Sequence, residues 1–228
     1  MKHPSCTSTN DSRLPIRVID VGISGEIPKL YVTHSEKARY IALSHCWGSH
    51  QIITRKKITL ENRKQGIEWT DHSKTFQDAV IITRKLGLRY LWIDSLCIIQ
   101  DDSVDWQVES SKMGQIYRNS YLTVCPTLSA NGKGGCFSER RVQSGNLSER
   151  IDDADVRYLS GVYLRRKFQD QHNILDPFAT REVEAFPLHD RAWAFQERLL
   201  ATRVVQYTRE ELRWECKSGT KCECGSFD

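Results

Sequence analysis

The stretch from Leu88 to Asp102, L-R-Y-L-W-I-D-S-L-C-I-I-Q-D-D, constrains the fold more than any other part of the chain. Tyr90 to Ile93 is a short apolar run of β-formers, and Asp94 follows at once. A run of that length bounded by polar residues reads as a buried central strand. The carboxylate of Asp94 then lies at the strand's carboxyl end. In open α/β sheets, ligands bind outside that end. Helix-like segments precede and follow the strand, so the chain reads as built outward from it.

On the N-terminal side, Arg17 to Val21 and Leu30 to Thr33 are short strand candidates, punctuated by Gly22, Gly25 and Pro28. Tyr40 to Leu43, Y-I-A-L, reads as another buried strand and runs into Ser44, His45, Cys46, Trp47 and Gly48. Small and polar residues beside an aromatic, just past such a strand, suit a ligand. A tight turn in which Trp47 caps the core is the competing reading. Gln51 to Thr70 is polar and poorly periodic, a long loop with one helical turn. Thr75 and Asp78 form a T-x-x-D capping box at the start of a helix. Phe76, Ala79, Val80 and Leu86 make its apolar stripe, and Gly87 ends it. Strand, helix and strand in succession predict a parallel pair.

After Asp102 the spacing predicts a second helix over Ser103 to Asn119, capped by Ser103 or Asp105. Trp106, Met113, Ile116 and Tyr117 mark its buried stripe, and Glu109 falls on the same stripe. A carboxylate there must be paired, hydrogen-bonded or placed at a cleft. It is either a site residue or the partner of an arginine such as Arg118 or Arg191. Tyr121 to Cys125 is a further strand, ended by Pro126. The glycines from Gly132 to Gly135 mark a loop and not a phosphate-binding fingerprint. Ser144 to Asp155 reads as exposed, Val156 to Phe168 as a hairpin, and Gln169 to Ala185 as irregular. Arg191 to Leu200 is a third helix, with Trp193, Phe195, Leu199 and Leu200 as its apolar positions. Val204 to Tyr207 and Leu212 to Trp214 read as an antiparallel pair turning at Arg209 and Glu210. The expected architecture is α/β. A mostly parallel central sheet is flanked by helices in a Rossmann-like layout, with a helix and β-hairpin extension at the C-terminal end. The expected boundaries are a disordered tail over 1–16, one domain over 17–216 and a tail over 217–228.

Composition narrows the function classes. The formal charge is +4, and the basic runs Arg55-Lys56-Lys57 and Arg165-Arg166-Lys167 are short. They read as solvated surface, so no nucleic-acid partner is expected. No apolar stretch approaches the ~20 residues that span a bilayer, and the N-terminus lacks a secretory apolar core. No membrane association is expected. The chain has eight cysteines, of which Cys97 and Cys125 lie in apolar runs. Reduced thiols in the cytoplasm are the simpler reading.

Three chemistries can be weighed on these residues. Cys216, Cys222 and Cys224, with His189 at a distance, are spaced wrongly for paired zinc knuckles, so no metal is expected. Cys46 beside His45 is poorly arranged for proton transfer, because neighbours in a strand point to opposite faces. A cleft at the strand ends, lined by Ser44, His45, Trp47, Asp94 and Glu109, agrees best with the layout.

The stretches Tyr40 to Gly48 (Y-I-A-L-S-H-C-W-G), Leu86 to Asp102, Asp105 to Ser120 and Arg191 to Arg203 resemble the fungal heterokaryon-incompatibility (HET) domain. So does W-E-C at Trp214 to Cys216, and the blocks keep the family's order. The resemblance implies an intracellular fungal protein that acts in non-self recognition, a form of innate immunity ending in regulated cell death. The HET domain is in turn distantly similar to the Toll/interleukin-1 receptor (TIR) domain. Some TIR domains cleave NAD at the nicotinamide–ribose bond with a glutamate on a helix beside the central sheet. Carried over by position, that catalytic glutamate is Glu109. Cleaving this bond builds oxocarbenium-like charge on the ribose, which a fixed carboxylate stabilises. Ser44, His45, Trp47 and Asp94 are then substrate-binding candidates. Gly48, Arg191, Gln196 and Glu197, from the matching blocks, join them. Many HET-like sequences have Tyr where this chain has His45, which puts that position in doubt as an essential one. NAD enters as a substrate, and no cofactor is implied. The alternative is a non-catalytic signalling module acting by self-association or through protein partners in incompatibility signalling. Fold alone does not choose between them.

Overall fold

The computed structural model describes residues 11–48, 57–137, 187–208 and 211–223, together with Cys6, Thr54 and the backbone of 142–144, 156–159 and 162–165. The chain enters through β1 (Ser12–Arg13), β2 (Arg17–Asp20), β3 (Lys29–Val32) and β4 (Lys37–Ala38). The wholly buried β5 (Tyr40–Leu43) follows, then α1 (Leu60–Gln65) and α2 (Lys74–Lys85). β6 (Tyr90–Trp92) leads into a single helical turn, α3 (Asp94–Cys97), and then into α4 (Ser103–Asn119) and β7 (Leu122–Pro126). β8 (Val142–Ser144), β9 (Val156–Leu159) and β10 (Val162–Arg165) form a three-stranded sheet of their own, and β9 pairs with β10 as the expected hairpin. The described chain closes with α5 (Ala192–Leu200), β11 (Arg203–Tyr207), β12 (Leu212–Cys216) and β13 (Gly219–Cys222).

Eight strands make the main sheet, in the order β13-β12-β11-β7-β5-β6-β2-β3. The middle four are parallel, and Tyr40–Leu43, the Tyr90 run and the Tyr121 run lie side by side as the alternation of segments predicts. The sheet as a whole is mixed. Three of its seven pairings are parallel, and four are antiparallel. The expectation of a mostly parallel sheet is corrected, and connection length is the reason. Parallel neighbours need a crossover of a dozen or more residues, whereas short links permit only antiparallel pairing. Helices separate β5, β6, β7 and β11. Only Lys217 and Ser218 separate β12 from β13. The C-terminal hairpin is therefore no extension, because β11 is itself the parallel neighbour of β7.

The middle strands are covered on both faces, which is why their sequences are near-continuous apolar runs. Ile41, Leu43, Leu91, Ile93 and Val124 pack with Phe76, Ala79 and Val80 of α2 and with Ile116 and Tyr117 of α4. Two buried tyrosine hydroxyls find backbone acceptors. Tyr40 donates to the Ile116 carbonyl at 2.6 Å and Tyr117 to the Leu43 carbonyl at 3.2 Å. Trp106 is half exposed and leaves the expected α4 stripe, while Glu109 stays buried on it.

The helix ends differ from the sequence reading in an informative way. Ser73 caps α2 by accepting from the Phe76 N–H. Thr75 and Asp78 instead fasten the glycine loop. Thr75 donates to the Gly132 carbonyl and accepts from the Gly135 N–H, at 3.1 and 3.2 Å. Asp78, fully buried, accepts from the Cys136 N–H at 2.8 Å and from Lys74 at 2.6 Å. Asp102 caps α4, which leaves Asp105 free to take a two-pronged bond from Arg17 at 2.7 and 2.6 Å. Arg17 also donates to the Cys97 carbonyl, so one buried arginine ties β2 to the ends of α3 and α4. Gly87 closes α2 at φ +67°, as its position predicts.

The described residues reach into both stretches expected as terminal tails. Ser12–Arg13 pairs with Lys37–Ala38, Leu14 is in the core, and the carbonyl of buried Cys6 accepts from Arg203. At the other end β13 carries the sheet past residue 216. The turn at Arg209–Glu210, the stretches 145–155 and 169–185, and Cys224 lie outside the described residues. No helix among the described residues is long and apolar enough to cross a membrane.

Removing the Asp78 carboxyl orphans the Cys136 N–H, so Asp78→Ala is expected to cost about 1–3 kcal/mol. Asp78→Asn keeps an acceptor for that N–H and is expected to cost less. Urea unfolding of the three proteins ranks them, and equal losses for Ala and Asn would remove this role.

Candidate functional site

The site grows from the point where β5 and β7 end side by side. Leu43 is level with Val124, and the Ser44 N–H donates to the Val124 carbonyl at 3.0 Å. The chain leaving β5 turns towards β6, whereas the chain leaving β7 returns at β11 on the opposite side. Such divergence opens a crevice at the carboxyl edge of a doubly wound sheet. Ser44, His45, Cys46 and Trp47 occupy that edge, and α5, on the way to β11, lies across it.

Glu197 is the centre of the cluster. It comes from α5, is 5% exposed, and accepts from the Ser44 hydroxyl at 2.5 Å. The Tyr117 hydroxyl, which donates to the Leu43 carbonyl, lies in the same crevice as Glu197. Burial pushes the Glu197 carboxyl up to about 7, helped by the charge of Asp94. Ser44, Arg191 and Tyr117 pull the other way and lose. The result is a carboxyl group close to half-ionised at neutral pH, the range in which a side chain serves as acid or base.

Asp94, at the start of α3, accepts from the Ser95 N–H at 2.7 Å and from the Trp47 indole N–H at 2.9 Å. His45 lies 3.7 Å from its other side, too far for a hydrogen bond. The imidazole is 2% exposed, neither ring nitrogen has a hydrogen-bond partner, and Phe76 meets it edge-on at 5.1 Å. Burial drives its pKa down, Asp94 opposes this, and Arg191 adds to it, so the neutral ring is favoured. Arg191, the residue before α5, donates to the His45 carbonyl. The Cys46 thiol is pushed up by burial, so it is protonated and a poor nucleophile. Gly48 has a backbone role. Its φ is +69°, and a Cβ there would come within 2.4 Å of the Asn131 side chain. Gln196 is exposed on α5 and shares a narrow crevice with Met113, Trp193 and Glu197.

Glu109 does not join this cluster. Its carboxylate accepts from Lys112 one turn along α4 at 2.8 Å. It lines a separate groove of about 360 Å³ with Arg13, Pro15, Ser35 and Tyr40. Tyr40 opens β5 and Ser44 follows its last residue, so the two carboxylates serve opposite ends of that strand. The partner expected for Glu109, Arg118 or Arg191, is replaced by Lys112. Tyr117 was missed as a site residue, because an aromatic on a helical stripe reads as core. Among the described residues, no three His, Cys, Asp or Glu side chains are grouped to hold a metal ion.

The geometry defines a mixed α/β domain with a buried acid at the switch point of its parallel strands. A family model described as heterokaryon incompatibility protein (HET) matches residues 40–197, more than two thirds of the 228 residues. The chain belongs to the HET family, and its function is connected with heterokaryon incompatibility. The matched span opens with β5 and closes on Glu197, so it brackets the Ser44–Glu197 pair. No curated protein and no solved structure matches the chain.

The raised pKa of Glu197 has a sign. The fold prefers the neutral acid, so its contribution is complete below about 4.5 and is lost as pH rises from there through about 7. Glu197→Gln, neutral at every pH, is expected to match wild type near pH 4. By pH 8 it should exceed wild type by up to about 3 kcal/mol. Urea unfolding across this range checks it, and a pH-independent difference would contradict the assignment.

Proposed function

We propose that this HET domain is an effector of non-self recognition in the fungal cytoplasm, acting by hydrolysis of NAD at the nicotinamide–ribose bond, with Glu197 in the catalytic place that the TIR comparison gave to Glu109. The observation that carries this reading is the convergence of Glu197, Ser44, Tyr117 and Asp94 at the β5–β7 switch point. Support for a TIR-like reading comes from the parallel strands. Numbered along the chain, their order is 2-1-3-4, the flavodoxin-like arrangement whose ligands bind between strands 1 and 3.

The chemistry follows from the side chains. Nicotinamide departs with the electrons of the N-glycosidic bond, and positive charge develops on the ribose. The ionised form of Glu197 stabilises that charge, and water then adds to the ribose and gives up a proton. Ser44 holds the carboxyl in place. Arg191 offers positive charge to a phosphate. Regulated cell death follows from loss of NAD.

A second reading, a module that signals by self-association, is favoured by the aromatic and aliphatic side chains that α5 turns outward. NAD turnover by the purified domain at several protein concentrations separates the two. The expected result is turnover that rises with pH through about 7. Glu197→Gln should remove it by a factor on the order of 10²–10³, whereas Glu109→Gln should stay near wild type. A folded Glu197→Gln protein with wild-type turnover rejects the catalytic role. A wild type without turnover, even when concentrated, leaves the signalling module.

A further inference from the structure

We infer that α5 is a lid: it lifts from the sheet edge while the rest of the domain stays folded, and the site beneath it is regulated by that motion. The regulatory half of this inference rests on the functional reading above. The motion does not.

A surface helix is ordinarily held by an apolar stripe turned towards the core. α5 is mounted the other way. Its buried residues are Ala194 and Glu197. Trp193, Phe195 and Leu199 are 63%, 63% and 68% exposed. What holds the helix down is polar: Ser44 to Glu197, Arg191 to the His45 carbonyl, and Arg198 to Glu215 at 2.6 and 2.5 Å. Among the described residues the apolar contacts it adds are small: Ala194 packs with Cys46, Cys125 and Leu188, and Leu200 lies on Gly114 of α4. A Cβ on residue 114 would come within 3.0 Å of the Leu200 side chain. Elements with little buried apolar contact are the ones that open locally.

The attachment beyond the helix is firm. The chain is extended at Ala201, Thr202 donates to the Arg118 carbonyl, and Arg203 donates to the Tyr121 carbonyl. Ala201 is therefore the pivot, with β11 fixed behind it. Beneath the helix lie Ser44, His45, Cys46 and Cys125, all buried. A ligand as large as a dinucleotide reaches Ser44 and Glu197 only with the helix raised.

The cysteines report the motion without reference to activity. Cys46 and Cys125 pack against Ala194 and Ala201, whereas Cys97 sits in the main core. The experiment is alkylation of the intact chain without denaturant, with each thiol followed by peptide mass spectrometry. Cys46 and Cys125 are expected to label at least about ten-fold faster than Cys97, as sub-global opening requires. Arg198→Ala, whose ion pair lies outside the site, should speed those two by about five-fold and leave Cys97 unchanged. A disulfide between Gly114→Cys and Leu200→Cys should slow them to the Cys97 rate, and prior reduction should restore them. If Cys46 and Cys125 label no faster than Cys97, or Arg198→Ala speeds all three together, there is no lid. Lid-like labelling in a protein without NAD turnover keeps the motion and removes only the enzyme reading.

Discussion

Four parallel strands side by side set the terms for everything else in this domain. Parallel pairing cannot be closed by a tight turn, so β5, β6, β7 and β11 each need a long connection. The connections carry helices, and the helices bury the strand faces that would otherwise meet water. The same constraint aligns the carboxyl ends of the strands. Side chains far apart in sequence, Ser44, Asp94 and Glu197, meet at one edge because parallel strands all finish there. The antiparallel hairpins outside this core finish the sheet without contributing to that edge.

The edge holds more polar chemistry than stability calls for. Ser44, His45, Asp94 and Glu197 are all buried, and the imidazole has no hydrogen-bond partner at either nitrogen. Orphaned polar atoms in a dry site are costly, and natural proteins keep few of them. Ion pairs elsewhere are better satisfied. Arg17 binds Asp105 at two points and a carbonyl at a third. Asp20 accepts from Arg89 at two points and from the Gly22 N–H. Buried His72 is orphaned at both nitrogens as well, so what sets the β5–β7 edge apart is the burial of a serine, a histidine and two carboxylates together.

Glu109 and Glu197 show why burial alone does not set the chemistry of a carboxyl group. Both are buried on helices, and both were candidates on sequence grounds. Glu109 has its counter-charge on the next turn of its own helix, where Lys112 is half exposed and easily neutralises it. Glu197 is buried with the charge of Asp94 nearby, and these outweigh the Ser44 bond and the charge of Arg191, which is engaged with a carbonyl, so its proton is held tightly. The surroundings give the second group its chemistry.

The sequence by itself determined the local pieces. Apolar runs at Tyr40, Tyr90 and Tyr121 became neighbouring parallel strands, Ser103–Asn119 became one helix, and Gly87 ended α2. Each rests on short-range physics that a window of residues contains. The motif blocks also carried the family and named Ser44, Asp94 and Glu197. Tertiary structure decided the rest. Thr75 and Asp78 look like a cap, but they hold a loop more than fifty residues away. The α5 pattern gives the apolar positions, but the helix turns Trp193 and Phe195 outward and its glutamate inward. Periodicity shows that a helix has two faces, and only the packing of distant strands decides which face meets the core. The pKa of Glu197 is of the same kind, because its burial and partners come from β5, α3 and α4, which no local window brings together.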